Sequence, residues 1–443
     1  MKKFSLVFLL TLLLCIAFAL PANAADIKVK VGATEYQKVV TNTAYTAKTD
    51  FAKDSKIEVT SDKDLVSAYI VWSTAPSKWT LNDSKEIDNN YLHQYIKFDA
   101  PTKSFTMTLS EAQSICYIKA FADGEEPADL QKWSAPQDEA DVLAFVAHAD
   151  DESLFLGGAI VDIIANHPDM NVQLVVMTNH LATEKHREHE RLDAMWTLGL
   201  TNYPIVGDVK DAYSMDLESG LKTCNYDEVL ETFKGYITDY KPQVVITQDF
   251  EGEYGHGQHR VLAKAVTEAV DTLANDGTFE VKKTYVHLLK ENPIELNLRV
   301  PLDSFGGKSA LDVAKDAYTK HASQQWCWFY VSDDYKYSCD EFGLYKTTVG
   351  VDTGKDMMEN ITSYKAIHEE EERIAAEKAA AEATKKPAKQ EAGKKENKAS
   401  NIFKKIIFAI LAIIVLLIIA IVSLRLYNKK RRTKRYQPKH GSK

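Results

Sequence analysis

From about residue 138 the chain alternates between apolar, strand-like runs and stretches that are apolar at helical spacing, and this alternation limits the fold more than any other feature. DVLAFVAH, NVQLVVMTN and QVVITQD read as buried strands. ESLFLGGAIVDIIANH, EKHREHERLDAMWTLGL and YDEVLETFKGYITDY read as helices, the last with Val229, Leu230, Phe233 and Ile237 on one face; residues 256–274 read as another. Strands alternating with helices build βαβ units. The expectation for residues 138–350 is therefore an α/β domain, a Rossmann-like, mostly parallel sheet with helices on both faces. Residues 26–130 differ. Ile27, Val29 and Val31 alternate with lysines, and KIEV, VSAYIVW, YIKF, SFTMTL and ICYIKAFA are short strands separated by turn residues. That pattern predicts a small β-sandwich module. Trp72, Trp79 and Tyr91 in it are either core and ordinary surface, the commoner case, or a sugar-stacking face.

The two ends suggest a topology. Met-Lys-Lys, an apolar run from Phe4 to Leu20 and an Ala-Asn-Ala site read as a signal peptide over residues 1–24. Ile406 to Leu424 is 19 residues without a charge, long enough for a transmembrane helix. Residues 425–443 carry nine Lys or Arg and no acid, as a cytoplasmic tail does. Residues 360–404, rich in Ala, Glu and Lys, read as a helical and then flexible linker. The expectation is a single-pass plasma-membrane protein, held by its C-terminal helix with the N-terminal ectodomain outside, on a bacterial surface. The formal net charge of −9 includes that basic tail, so the remainder is more acidic still. An acidic body argues against nucleic acid as a partner. Cys116, Cys224, Cys327 and Cys339 remain after the signal peptide, with Cys327–Cys339 the favoured disulfide because the two are close in sequence; none has the CxxC spacing of a zinc site.

One stretch carries chemistry. The strand DVLAFVAH runs directly into HADDE, so His148, Asp150, Asp151 and Glu152 lie at a strand's carboxyl end, where open α/β sheets bind ligands. Adjacent acids are tolerable around a divalent cation. His148 and Asp151 are three apart at a strand-to-helix turn, which aims both at one point. A catalytic zinc usually takes three protein ligands and leaves a place for water. The next strand, QVVITQD, leads to His256 and His259, three apart at a helix start, of which one would complete the set while the other faces the substrate. NHPDM also pairs a histidine with an acid, but His167 and Asp169 fall between a helix and the next strand, on the opposite edge.

These residues resemble the LmbE-like, or PIG-L, zinc-dependent de-N-acetylases. AHADDESLFLGG is similar to the family's His-Pro-Asp-Asp-Glu and Gly-Gly, with Ala149 in place of proline. Arg187 and Glu190 match its Arg-x-x-Glu, Leu198 and Gly199 its Leu-Gly, His256 and His259 its His-x-x-His, and YTKHASQQW its late His-x-Ser-Gln. The resemblance spans about residues 140–350. It implies a Zn2+ cofactor on His148, Asp151 and His259, Asp150 as general base and His256 as a protonated oxyanion donor. It also implies Arg187 and His321 as substrate-binding residues. The implied activity is removal of acetyl groups from N-acetylglucosamine-type sugars of a surface glycan or glycolipid, with an N-acetylated sugar as partner. The competing readings are a non-catalytic glycan-binding surface protein and a zinc hydrolase acting on another amide.

Overall fold

The computed structural model describes residues 24–384. The chain divides into two units, Met1–Glu372 and Arg373–Lys443. In the second, residues 373–384 are described, as the end of the helix Tyr364–Thr384.

The described residues of the first unit form two sheets. Its N-terminal part is one eight-stranded antiparallel sheet. Two 17-residue strands, Lys56–Trp72 and His93–Leu109, run through it with register shifts near Leu65. Ile57 and Val59 from one end of the first strand share a core with Ile70 and Trp72 from the other end, so the sheet curls over a single apolar centre. Trp72 and Trp79 belong to that core, and both indole N–H groups donate to Gln94 Oε1, at 2.7 and 3.0 Å.

The second sheet has seven strands in the order Ile205–Lys210, Val172–Asn179, Val142–Val146, Val244–Thr247, Lys283–His287, Glu341–Thr347, Pro293–Glu295. The first five are parallel and the last two antiparallel. Residues of Val142–Val146 alternate between two cores. Val142, Ala144 and Val146 pack with the helices Gly157–Asn166, His186–Thr197 and Ala310–Tyr318. Leu143 and Phe145 pack with Tyr226–Tyr240 and Gly257–Asn275. The chain leaves Val142–Val146 to one side and later returns on the other at Val244–Thr247, so strand order reverses between these two neighbours. The crevice beyond their carboxyl ends is where such sheets take ligands.

Several expectations need correction. The α/β sheet is mixed: its five parallel strands are followed at one edge by two antiparallel ones, because the chain returns there through Glu341–Thr347 and Pro293–Glu295. The N-terminal strands form one curled antiparallel sheet rather than a two-sheet sandwich, because the two long strands pair with each other on both sides of a register shift near Leu65 and so run through both ends of the sheet. Among the described residues no helix is long and apolar enough to cross a membrane. The described residues therefore give no support to the terminal transmembrane helix of the expected fold class, to the membrane partner or to the plasma-membrane placement; the expected signal peptide up to residue 23 and the segment 406–424 lie outside the described residues. Cys327–Cys339 is not bonded: all four described cysteines are free.

The two sheets meet through a buried polar cluster. His93 Nε2 and His189 Nδ1 are 2.9 Å apart, and His93 Nδ1 lies 2.7 Å from Gln131 Oε1. Tyr45 stacks on His189 and donates to Asp193 at 2.6 Å. The bonds suit two neutral rings: His93 donates from Nδ1 and accepts at Nε2 from His189. Burial, first of all, holds both imidazoles below their ordinary range. A histidine kept neutral in the fold takes up its proton in the unfolded chain, near pH 6.5. Stability is therefore full above that value and falls below it, by up to about 1.4 kcal/mol per pH unit for each ring. Thermal melts from pH 8 to pH 5 are expected to show this fall, and His93→Gln to make it shallower.

Candidate metal centre and active site

The strand Val142–Val146 is buried at every position, as a central strand covered on both faces must be. It delivers His148 to the crevice, where a short turn sorts the acids. Asp150 has φ +116°, a left-handed conformation uncommon for a residue with a side chain. Its N–H donates to Glu152 Oε2 at 2.9 Å, and its carbonyl accepts from Ser153 and Leu154, each at 3.0 Å. The twist sends consecutive carboxylates to different partners. Asp151 Oδ2 accepts the His148 N–H at 2.7 Å and faces two imidazoles, while Asp150 Oδ1 faces Arg187 Nη2 at 3.4 Å. Glu152 is fully buried, its Oε1 2.6 Å from His321 Nε2. It clamps the turn rather than sitting on an exposed helix end.

The helix Gly257–Asn275 brings up the other half of the site. His256 is its N-cap, accepting the Gln258 N–H on Nδ1 at 3.2 Å. One turn in, His259 is fully buried. His148 Nδ1, His259 Nε2 and Asp151 Oδ2 form a triangle with edges of 3.1, 3.3 and 3.3 Å. Tetrahedral zinc with bonds of about 2.0–2.1 Å places its ligands about 3.3–3.4 Å apart, so the triangle has the dimensions of one face of such a tetrahedron. His148, His256 and His259 also offer ligand atoms within 4.8 Å of one another. The tighter set is the one with Asp151, and His256 already has one ring nitrogen committed to the backbone.

Neighbouring groups turn the ring nitrogens inward. Gln258 Oε1 accepts from Ala212 N–H at 3.1 Å, and its Nε2 donates to the Lys210 carbonyl at 2.9 Å. With the amide fixed, His148 Nε2 must donate to Gln258 Oε1, at 2.8 Å, which leaves the Nδ1 lone pair facing the triangle. Glu253 Oε2 takes the His259 Nδ1 proton at 2.6 Å and leaves Nε2 facing it. Glu253 is held in turn by His287 Nδ1 at 2.9 Å and by the Asp249 N–H at 3.0 Å. Two lone pairs and a carboxylate oxygen thus converge on one point, an arrangement that calls for positive charge. Burial disfavours a proton on His259, yet Asp151 and Glu253 raise it to about 10. Burial likewise raises Asp151, but His259 and His148 hold its carboxyl well below the usual range. The donor set fits a divalent cation.

Asp150 differs from Asp151. Burial pushes its carboxyl up to about 6 against the pull of Arg187. Arg187 is buried, with Nη2 on the Ala149 carbonyl at 2.6 Å and Nη1 on Asp211 Oδ2 at 3.1 Å. Asp211 also lies 3.1 Å from His180 Nε2 and 3.5 Å from His148 Nε2. His256 is held down to about 2, by burial and then by His148 and His259. Of the seven residues singled out in the sequence, His148, Asp150, Asp151, Arg187, His256 and His259 gather here. His321 is fully buried behind Glu152. His167 and Asp169 sit at the other edge, paired with Asp356 and Lys365. Asp211, Glu253 and Gln258 had escaped notice. Asp211 follows the strand Ile205–Lys210, so the strand-end rule would have found it. Nothing in EGEYGHGQH distinguishes Glu253 or Gln258 before the histidine tautomers are known.

Residues 143–270 match the family model PIG-L, described as GlcNAc-PI de-N-acetylase. The matched stretch is 128 of the chain's 443 residues. Six of the residues named above as site candidates lie in the matched range. Among curated relatives, the chain is 26% identical over 215 residues to the 1D-myo-inositol 2-acetamido-2-deoxy-alpha-D-glucopyranoside deacetylase of Kineococcus radiotolerans, covering 40% of this chain and 59% of that one. It is 27% identical over 187 residues to deacetylase 1 of the same description from Frankia casuarinae, covering 34% and 61%. The chain thus spans about three fifths of the length of these relatives. Of solved structures, the N,N′-diacetylchitobiose deacetylase of Pyrococcus horikoshii aligns at 17% identity over 44% of this chain and 74% of that one, with a TM-score of 0.30.

Proposed function

We propose that the PIG-L domain is a zinc-dependent amidohydrolase that removes the acetyl group from an N-acetylglucosamine-type sugar. The observation that carries this reading is the triangle of His148 Nδ1, His259 Nε2 and Asp151 Oδ2, with edges of 3.1–3.3 Å and both imidazole lone pairs turned inward. The names of the matched family and relatives supply the substrate class.

His148, Asp151 and His259 would hold zinc, which when bound lowers the pKa of water and polarises an amide carbonyl. Asp150, beside this triangle but turned to Arg187, serves as the base that takes a proton from the attacking water; a carboxyl near pH 6 suits that task. His256 faces the same crevice. Its Nδ1 accepts a backbone N–H, so its proton is on Nε2, and it stabilises the oxyanion as a neutral donor rather than as the imidazolium implied by the family resemblance. Arg187 and His321 we assign as positioning residues. Arg187 ties Asp150 to the Ala149 carbonyl and Asp211, and His321 anchors Glu152, which fixes the strained Asp150 backbone.

The test is acetate release by the purified, zinc-loaded chain from N-acetylglucosaminides, with N-acetylated amino-acid amides as the comparison. Release from the sugars and not from the amides supports the proposal; the reverse points to another amidohydrolase. A positioning effect is also expected. Glu253→Gln should weaken zinc binding by about 10–100-fold, the usual cost of disturbing a group that orients a metal-bound histidine. Competition with a chelator measures this directly.

A further inference from the structure

Next to the site lies a run of aromatic residues that the reaction does not use. In QQWCWFYVSDDYKY, Trp326 is 82% exposed, Trp328 61% and Tyr330 50%, unusual for large rings and concentrated in five residues. The segment is built in place. Ser323 bonds Glu190 through its N–H and Oγ, Gln325 donates to two carbonyls, and Arg299 grips Asp333 in a bidentate pair at 2.7 and 2.6 Å. Trp328 packs against Phe329 at 4.1 Å, and Phe329 against Tyr254 at 4.3 Å. Tyr254 then touches the rings of His256 and His259, at 5.7 and 5.6 Å. Trp328 also meets Tyr254 directly at 6.4 Å, so one ring separates the exposed tryptophan from the candidate catalytic histidine.

We propose that Trp328, with Tyr254 beside it, is a stacking platform for a neighbouring sugar of the substrate, so that the protein prefers an oligosaccharide to a single N-acetylated sugar. This rests on the deacetylase reading of the adjacent site. Large rings with apolar faces and polar edges match a pyranose, which has a C–H face and a rim of hydroxyls. The platform is continuous with the site, so one extended ligand reaches both. A second copy of this chain is the weaker occupant. The three exposed rings of about 150–250 Å² each fall short of the roughly 800 Å² per partner of a stable interface.

The experiment compares wild type, Trp328→Ala and Trp328→Phe as full chains. Acetate release from N-acetylglucosamine and from tetra-N-acetylchitotetraose is measured on zinc-loaded protein, and calorimetric binding of the tetramer on chelator-treated protein. The expected result is a KM for the tetramer about five- to tenfold higher in Trp328→Ala with kcat within about twofold, recovery in Trp328→Phe, and monosaccharide kinetics unchanged. Calorimetry should show the same five- to tenfold loss. Equal KM and equal binding in wild type and Trp328→Ala overturn the platform even when acetate is released. So does a wild-type dimer that Trp328→Ala splits without changing sugar affinity. Binding weakened by Trp328→Ala without any acetate release would keep the platform and sink the deacetylase reading.

Discussion

His259→Ala is expected to reduce bound zinc from about one per chain to near zero and acetate release to below about a thousandth of wild type. His259 is fully buried and supplies one of three converging ligand atoms, while its Nδ1 is turned away to donate to Glu253. A metal's contribution to the transition state is several kcal/mol, and about 4 kcal/mol corresponds to a thousandfold. Because the substitution opens a cavity and leaves Glu253 without this partner, the fold needs its own control. His259→Gln and chelator-treated wild type should show the same loss of activity with circular dichroism unchanged. Wild-type zinc content in His259→Ala would contradict the ligand assignment.

Asp150→Asn is expected to keep the zinc and lose about 10²–10⁴-fold in kcat, the range for removing a general base. Asparagine is the informative replacement. It tolerates a positive φ, so the turn at φ +116° and the bond from its N–H to Glu152 survive. Alanine would strain the turn and confuse two effects. The variant separates the two neighbouring carboxylates: loss of activity with zinc retained marks Asp150 as the base, whereas loss of zinc would make it a ligand. Full activity with full zinc would remove Asp150 from the chemistry.

The part of the site that the sequence displays is the part governed by strand ends. HADDE follows an apolar strand, and HGQH begins the helix after another; both fall at the reversal of strand order, where the structure places them. The acids could not be sorted by sequence alone, because the sorting depends on one left-handed residue, Asp150, and on a buried partner for Glu152, His321, far away in the chain. Glu253 and Gln258 were hidden for a related reason: their role is to fix histidine tautomers, and that is a matter of three-dimensional bonding. The fold shows the same limit. KIEV and VSAYIVW look like two strands because Ser61 to Asp64 are polar, yet they are one 17-residue strand that pairs with the same neighbour, His93–Leu109, on both sides of a register shift. The antiparallel edge formed by Glu341–Thr347 and Pro293–Glu295 depends on where a late segment returns, which local pattern does not encode. The aromatic run after Gln325 was visible as letters, but only its exposure beside Tyr254 gives it meaning.

The most direct test of the central claim is stepwise zinc addition to chelator-treated protein, with bound zinc and acetate release from an N-acetylglucosaminide followed together. Acetate release that rises in proportion to bound zinc and levels off near one zinc per chain is the predicted result. Zinc-independent release, or no release once one zinc is bound, would contradict it.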